Sequence, residues 1–221
     1  MPQETGEIKI PVPYGCIAAK TWGKSDSNCH KILALHGWQD NCGSFDRLIP
    51  LLPDSVYVLA PDLPGHGLSS HLPDGCPYSD IAFVMEIKRI VNHLNWSSFS
   101  ILGHSMGAML AILYSSIYPQ SVVKVISIDI VKPFTFSRDQ MADTMRGFVN
   151  SFIRLDKKDS IPPVYGHQMV VEKMISAHSR HGKLDEESVQ CLLNRGSQVS
   201  SDGKGEYFTR DNRIKTIFVQ S

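Results

Sequence analysis

From Lys31 to Ile128 short apolar runs alternate with stretches of helical periodicity, and that rhythm restricts the chain to few folds. Lys31 to Leu35, Val56 to Ala60, Phe99 to Leu102 and Val122 to Ile128 have strand length, the last being rich in β-branched residues. Between them, Ser44 to Leu52 reads as a short helix ended near Pro53. Ser79 is placed to cap a helix whose apolar positions Ile81, Val84, Ile87, Val91 and Leu94 recur every three or four residues. Met106 to Tyr118 forms another helix, closed by Pro119. Strands separated in this way by helices build a parallel sheet covered on both faces. Upstream, Ile8 to Val12 and Cys16 to Trp22 read as two further strands around a Pro13-Tyr14-Gly15 turn.

After Pro133 the rhythm stops and helical patterns follow one another. Met141, Met145, Phe148, Phe152 and Leu155 form one set, Val170, Met174 and Ala177 a second, and Leu184, Val189 and Leu192 a third that stops at Gly196. The expected division is a core over residues 1–132 with six strands, a helical cap over 133–213 and a short tail over 214–221. Ile214 to Val219 is expected to begin one more strand.

Charge narrows the choice of partner. With 22 Lys and Arg against 22 Asp and Glu, nothing draws the chain to nucleic acid or to anionic lipid, and a small neutral molecule is the expected substrate. Arg89 to Lys124 encloses a long stretch without formal charge. Its longest near-apolar piece, Met106 to Tyr114, falls far short of the ~20 residues a membrane span needs. Met1 to Glu7 has neither a basic nor an apolar segment, so no secretory signal is expected and the protein should stay in the cell. The 5 cysteines are scattered without a C-x-x-C pair, which predicts buried, reduced thiols and no metal or other cofactor.

Gly103-His104-Ser105-Met106-Gly107 fits G-x-S-x-G, in which a serine sits on a tight strand-to-helix turn with its hydroxyl raised above the sheet. The strand before it and the small residues Gly107, Ala108 and Ala111 after it supply the context that pattern needs. Ser105 is therefore the candidate nucleophile, its Oγ expected at the floor of a pocket facing the cap. His36-Gly37-Trp38 follows the Lys31 to Leu35 strand, and the Trp38 and Met106 amides are placed to form an oxyanion hole. The Trp38 side chain is expected to wall the pocket. Asp62 to Ser69 is glycine-rich, but it lacks the Lys of a P-loop and the helix start of a dinucleotide fingerprint.

An HGW loop, a D-x-P-G-H-G-x-S loop and a GHSMG elbow, in that order, resemble the α/β-hydrolase superfamily. The resemblance implies a mostly parallel, doubly wound α/β sheet with a helical cap and a structural role for the Asp62 loop. It further implies a serine hydrolase acting on a small ester-type substrate, in the cytoplasm, the perinuclear region or the peroxisome. Val219-Gln220-Ser221 does not match the S-K-L peroxisomal address. His104, Phe148 and Phe152, with Trp38, are the expected substrate contacts.

In that superfamily the acid and the histidine follow the nucleophile, the histidine after the last strand. Asp129, at the end of the Val122 to Ile128 strand, is a candidate acid. No histidine occupies the late position, so the last strands of the fold are expected to be missing. His178 and His181 lie in the cap and would reach Ser105 only if the cap folded into the site. The alternative reading is therefore a catalytically incomplete isoform or fragment that binds without turnover.

Overall fold

The structure, a computed structural model, describes residues 4–26, 29–132, 138–156, 162–179, 182 and 184–216. Six strands form one sheet: β1 (Thr5–Val12), β2 (Gly15–Trp22), β3 (His30–Leu35), β4 (Val56–Pro61), β5 (Phe99–His104) and β6 (Val122–Ile128). Their spatial order is β1-β2-β4-β3-β5-β6. β1, β2 and β4 pair antiparallel, whereas β4, β3, β5 and β6 run parallel. The parallel part follows from the helical crossovers α1 (Asp80–His93) and α2 (Met106–Ile117).

β3 shows why its run is apolar throughout. Leu33 and Leu35 point into one core with Phe83, Ile87, Ile101 and Leu110, while Ile32 and Ala34 point into a second with Phe45, Ile49 and Val58. A strand buried on both faces has no polar alternation to keep. The chain leaves β3 for β4 on one side and returns through α1 to β5 on the other, so the strand order reverses at β3. Open α/β sheets place their ligands at the carboxyl ends of the strands beside such a reversal. His36 follows β3 there, and Ser105 follows β5.

Beyond the sheet lie α3 (Arg138–Asp156), α4 (His167–His178) and α5 (Glu186–Gly196), then a hairpin of β7 (Ser197–Val199) and β8 (Glu206–Phe208) that no sequence pattern announced. α4 and α5 share a core of Val170, Met174, Val189, Leu192 and Leu193, against which Phe208 packs. Three expectations are corrected. Ser44 to Leu52 is two 3-10 turns, Cys42–Phe45 and Ile49–Leu51, because Pro50 breaks the run. Ile214 opens no strand; it lies in the 3-10 helix Asn212–Thr216, fully buried in the sheet core, and residues 217–219 of the expected strand lie outside the described residues. Of the cysteines only Cys42 is buried; Cys76 is exposed, and all 5 are free. Among the described residues no helix is long and apolar enough to cross a membrane, and no cluster of His, Cys, Asp or Glu is arranged to hold a metal ion.

Candidate active site

Ser105 caps α2 with φ 49° and ψ −115°, a backbone state that is costly outside glycine, by roughly 1–3 kcal/mol. Its neighbours make that state obligatory. A Cβ on Gly103 would lie 2.5 Å from Ala108 Cα, and one on Gly107 would lie 2.1 Å from Leu35 O, so the head of α2 presses directly on the ends of β5 and β3. The Ser105 N–H donates to Ile128 O (3.0 Å) of β6, and the Ser105 carbonyl accepts from Ala108 N and Met109 N (2.9 and 3.1 Å). This fixes the backbone and leaves Oγ without a hydrogen-bond partner among the described residues. Met106 is the first residue of α2, and its N–H has no carbonyl a turn earlier to bond.

The opposite wall is a turn from Gly37 to Asp40, closed by Asp40 N–H to Gly37 O (3.2 Å) with Gln39 at φ 64°. Two buried histidines hold it. Leu63 N–H donates to His36 Nε2 (2.9 Å), so the proton sits on Nδ1, which donates to Gly37 O (2.8 Å). Gln39 N–H donates to His66 Nε2 (3.3 Å), and His66 Nδ1 donates to Pro64 O (3.0 Å). Burial pushes both imidazoles below the ordinary histidine range, His66 well below, in keeping with two neutral rings. The Trp38 indole, 48% exposed, donates from Nε1 to Ile214 O (2.7 Å) and ties the turn to the 3-10 helix Asn212–Thr216.

Asp62 gives the glycine-rich loop its structural role. Fully buried at the end of β4, its carboxylate accepts from Cys42 N, Leu68 N and Arg195 Nε at 2.8, 2.8 and 2.9 Å. The Arg195 guanidinium also pairs with Glu7 of β1. Asp62 and Arg195 together join β4, the first 3-10 turn, the loop and α5; sequence marked the aspartate but carried no sign of its arginine. Asp211 and Arg213 fasten the other side of the loop, through Tyr78 OH to Asp211 (2.8 Å) and Arg213 to Leu72 O and Pro73 O (2.6 and 2.7 Å).

Among the remaining candidates, the His104 ring lies against Gly37, where an added Cβ would meet its Nδ1 at 2.9 Å. Phe148 and Phe152 of α3 stack on each other at 6.2 Å. Asp129 is exposed at φ 76°, and no described histidine pairs with it. His178 donates from Nδ1 to Met174 O and from Nε2 to Asp40 Oδ1, both at 2.9 Å. Since both partners are acceptors, both ring nitrogens carry protons, and the Asp40 hydrogen bond raises the imidazole's pKa. Such a ring has no lone pair to offer Ser105. His181 lies outside the described residues.

The turn after β3 and the strained serine at the head of α2 lie at the reversal of a mostly parallel sheet, the arrangement of the α/β-hydrolase fold. Residues 32–166 match the profile of the alpha/beta hydrolase fold, and the chain belongs to that family. It is 41% identical over 217 residues to a probable serine hydrolase of Drosophila melanogaster, covering 96% of this chain and 64% of the fly protein. To serine hydrolase-like protein 2 of Homo sapiens it is 37% identical over 211 residues, covering 94% of this chain and 65% of the human protein. The chain thus spans slightly less than two thirds of either relative's length. A hypothetical protein of Pseudomonas aeruginosa PAO1 with a solved crystal structure superimposes at a TM-score of 0.83 with 29% identity, over 95% of this chain and 71% of that one.

Proposed function

We propose that the protein is a serine hydrolase acting on a small ester-type substrate, with Ser105 as nucleophile. Ser105 Oγ attacks the carbonyl carbon, the Trp38 and Met106 amides receive the developing oxyanion, and collapse expels the alcohol to leave an acyl-serine that water then cleaves. Trp38, His104, Phe148 and Phe152 line the acyl side, and Asp129 is the candidate acid. The observation that carries this reading is the backbone of Ser105, held at φ 49° with its hydroxyl unbonded. Strain of that kind persists only where surrounding contacts enforce it. The reading includes a cytoplasmic setting and no nucleic-acid partner.

A second reading, binding without turnover, is favoured by one further observation. No described histidine hydrogen-bonds Ser105, and His178, the cap histidine placed beside the β3 turn, has both nitrogens engaged. In triad enzymes a lost member leaves only about 10³ to 10⁴-fold acceleration over water. The test is a serine-directed fluorophosphonate probe on the purified chain, read by intact mass with Ser105→Ala as control. Slow or undetectable labelling is the expected result for these residues. Rapid stoichiometric labelling abolished by Ser105→Ala would refute the second reading, and labelling that survives the substitution would refute the role of Ser105.

A further inference from the structure

Among the described residues, each member of the turn from Gly37 to Asp40 has a tether to the rest of the fold. Gly37 O accepts from His36 Nδ1, the Trp38 indole donates to Ile214 O, Gln39 N–H donates to His66 Nε2, and Asp40 Oδ1 accepts from His178 Nε2 at 2.9 Å. The first three end on neutral groups, since burial keeps the His36 and His66 rings uncharged and Ile214 offers a backbone carbonyl. The fourth is an ion pair, and it runs to a helix of the cap. His178 is the last residue of α4, whose buried Val170 and Met174 belong to a core separate from the two cores of the sheet. Only 25% of the His178 side chain and 10% of the Asp40 side chain are exposed, so salt screens this pair less than it would a surface pair.

The turn also abuts the elbow. A Cβ on Gly37 would lie 2.9 Å from His104 Nδ1 and 3.2 Å from Asp40 Oδ2, which wedges Gly37 between the residue before Ser105 and the carboxylate that His178 holds. We propose that His178 is a positioning residue: by holding Asp40 it clamps the turn that carries the Trp38 amide, and loss of its proton releases the clamp. That the Trp38 amide serves as an oxyanion donor rests on the proposed hydrolase reading.

The release follows from a count of protons. Both His178 nitrogens face acceptors, Met174 O and Asp40 Oδ1, and a neutral ring has one N–H to share between them. Either the hold on Asp40 is lost or the bond that fixes the ring to its own helix is. The groups around the pair set the pH at which this happens. The Asp40 hydrogen bond, foremost, raises the His178 pKa above 6.5, and Arg210, following β8, opposes the rise. His36 and His104 are the other titratable groups beside Asp40, and Tyr165 faces Arg210. The clamp is therefore complete below pH 6.5 and lost as pH rises through the raised value.

The test uses Trp38 as reporter. Trp22 and Trp96 are 1% and 6% exposed, so acrylamide quenching of the purified native chain reads Trp38. From about pH 6 to about pH 9 at constant ionic strength, the quenching constant rises in one step with a midpoint above 6.5, by up to about twofold because the indole starts 48% exposed. His178→Gln and Asp40→Asn each abolish the step and quench at the high-pH level throughout, and Trp38→Phe removes the signal. An ion pair that served stability alone would leave the exposure of Trp38 in the native state unchanged with pH. A flat wild-type profile overturns the proposal. So does a step that survives any of the three substitutions, which would place it on another group, such as His104 or the His71 beside Asp211. The wild-type series needs no variant to fold and no reaction at Ser105, so its failure is separable from failure of the hydrolase reading.

Discussion

Gly107→Ala isolates the contact that positions Ser105. The added Cβ would lie 2.1 Å from Leu35 O, 2.5 Å from Leu35 C and 2.8 Å from His36 O. An ordinary carbon-to-carbonyl-oxygen contact is ~3.3 Å, so α2 and the end of β3 must separate by about 1.2 Å. No side chain can rotate away, because the obstacle is the backbone of a central strand buried on both faces. Overpacking of this kind costs about 3 kcal/mol, and the better helix propensity of alanine returns about 1 kcal/mol. The net loss of about 2 kcal/mol is roughly a 30-fold fall in the folded-to-unfolded ratio. Urea unfolding at 25 °C reads it as a lower midpoint at unchanged slope. Gly147→Ala is the matched control: in exposed α3 its Cβ meets nothing within 4 Å, and the variant should gain about 0.5–1 kcal/mol. The reasoning is refuted if Gly107→Ala unfolds at the wild-type midpoint or gains stability as Gly147→Ala does.

Two further outcomes are expected. His178→Gln removes the charged contact of α4 with Asp40, worth about 1–2 kcal/mol. Because the native pKa of His178 is raised above its ordinary 6.5, that contribution is complete below pH 6.5 and is lost as pH rises through the native value. Urea midpoints of wild type and variant should therefore converge with increasing pH; a difference that stays constant or grows would show that the pair is not ionic. β6 pairs only with β5 among the described residues and leaves Val123, Ile126 and Ile128 exposed, an edge that invites self-association. Sedimentation velocity should show concentration-dependent association that Ile126→Lys weakens several-fold; a monomer at every concentration would mean the edge is protected.

What the sequence revealed and what it hid separate along a physical line. β3, β4 and β5 were legible because burial on both faces leaves continuous apolar runs, and the α1 cap because Ser79 Oγ accepts from Ala82 N at 3.2 Å, a local contact. The elbow was legible because close backbone contacts leave no room for a side chain at Gly103 and Gly107. By contrast, Arg195 with Asp62, His178 with Asp40 and Trp38 with Ile214 are contacts between distant segments, and nothing near either partner encodes the other. Asp211 accepts from the backbone N–H of Arg213 at 2.8 Å and so helps turn Asn212–Thr216 into a 3-10 helix, overriding the strand expected to begin at Ile214. The β7–β8 hairpin has strands of 3 residues each, too short for alternation to register.

The Asp62 carboxylate belongs at once to the strand end beneath the site, to the glycine-rich loop and, through Arg195, to the helix that closes over them. Fully buried, it has no water at hand to replace a lost partner, so losing one leaves its charge uncompensated in a medium that solvates it poorly. The loop and α5 therefore cannot loosen independently: an excursion that lifts the helix strands the carboxylate and unseats the Leu68 and Cys42 amides in the same event. The loop and α5 thus belong to one cooperative unit of the fold, anchored on a single carboxylate.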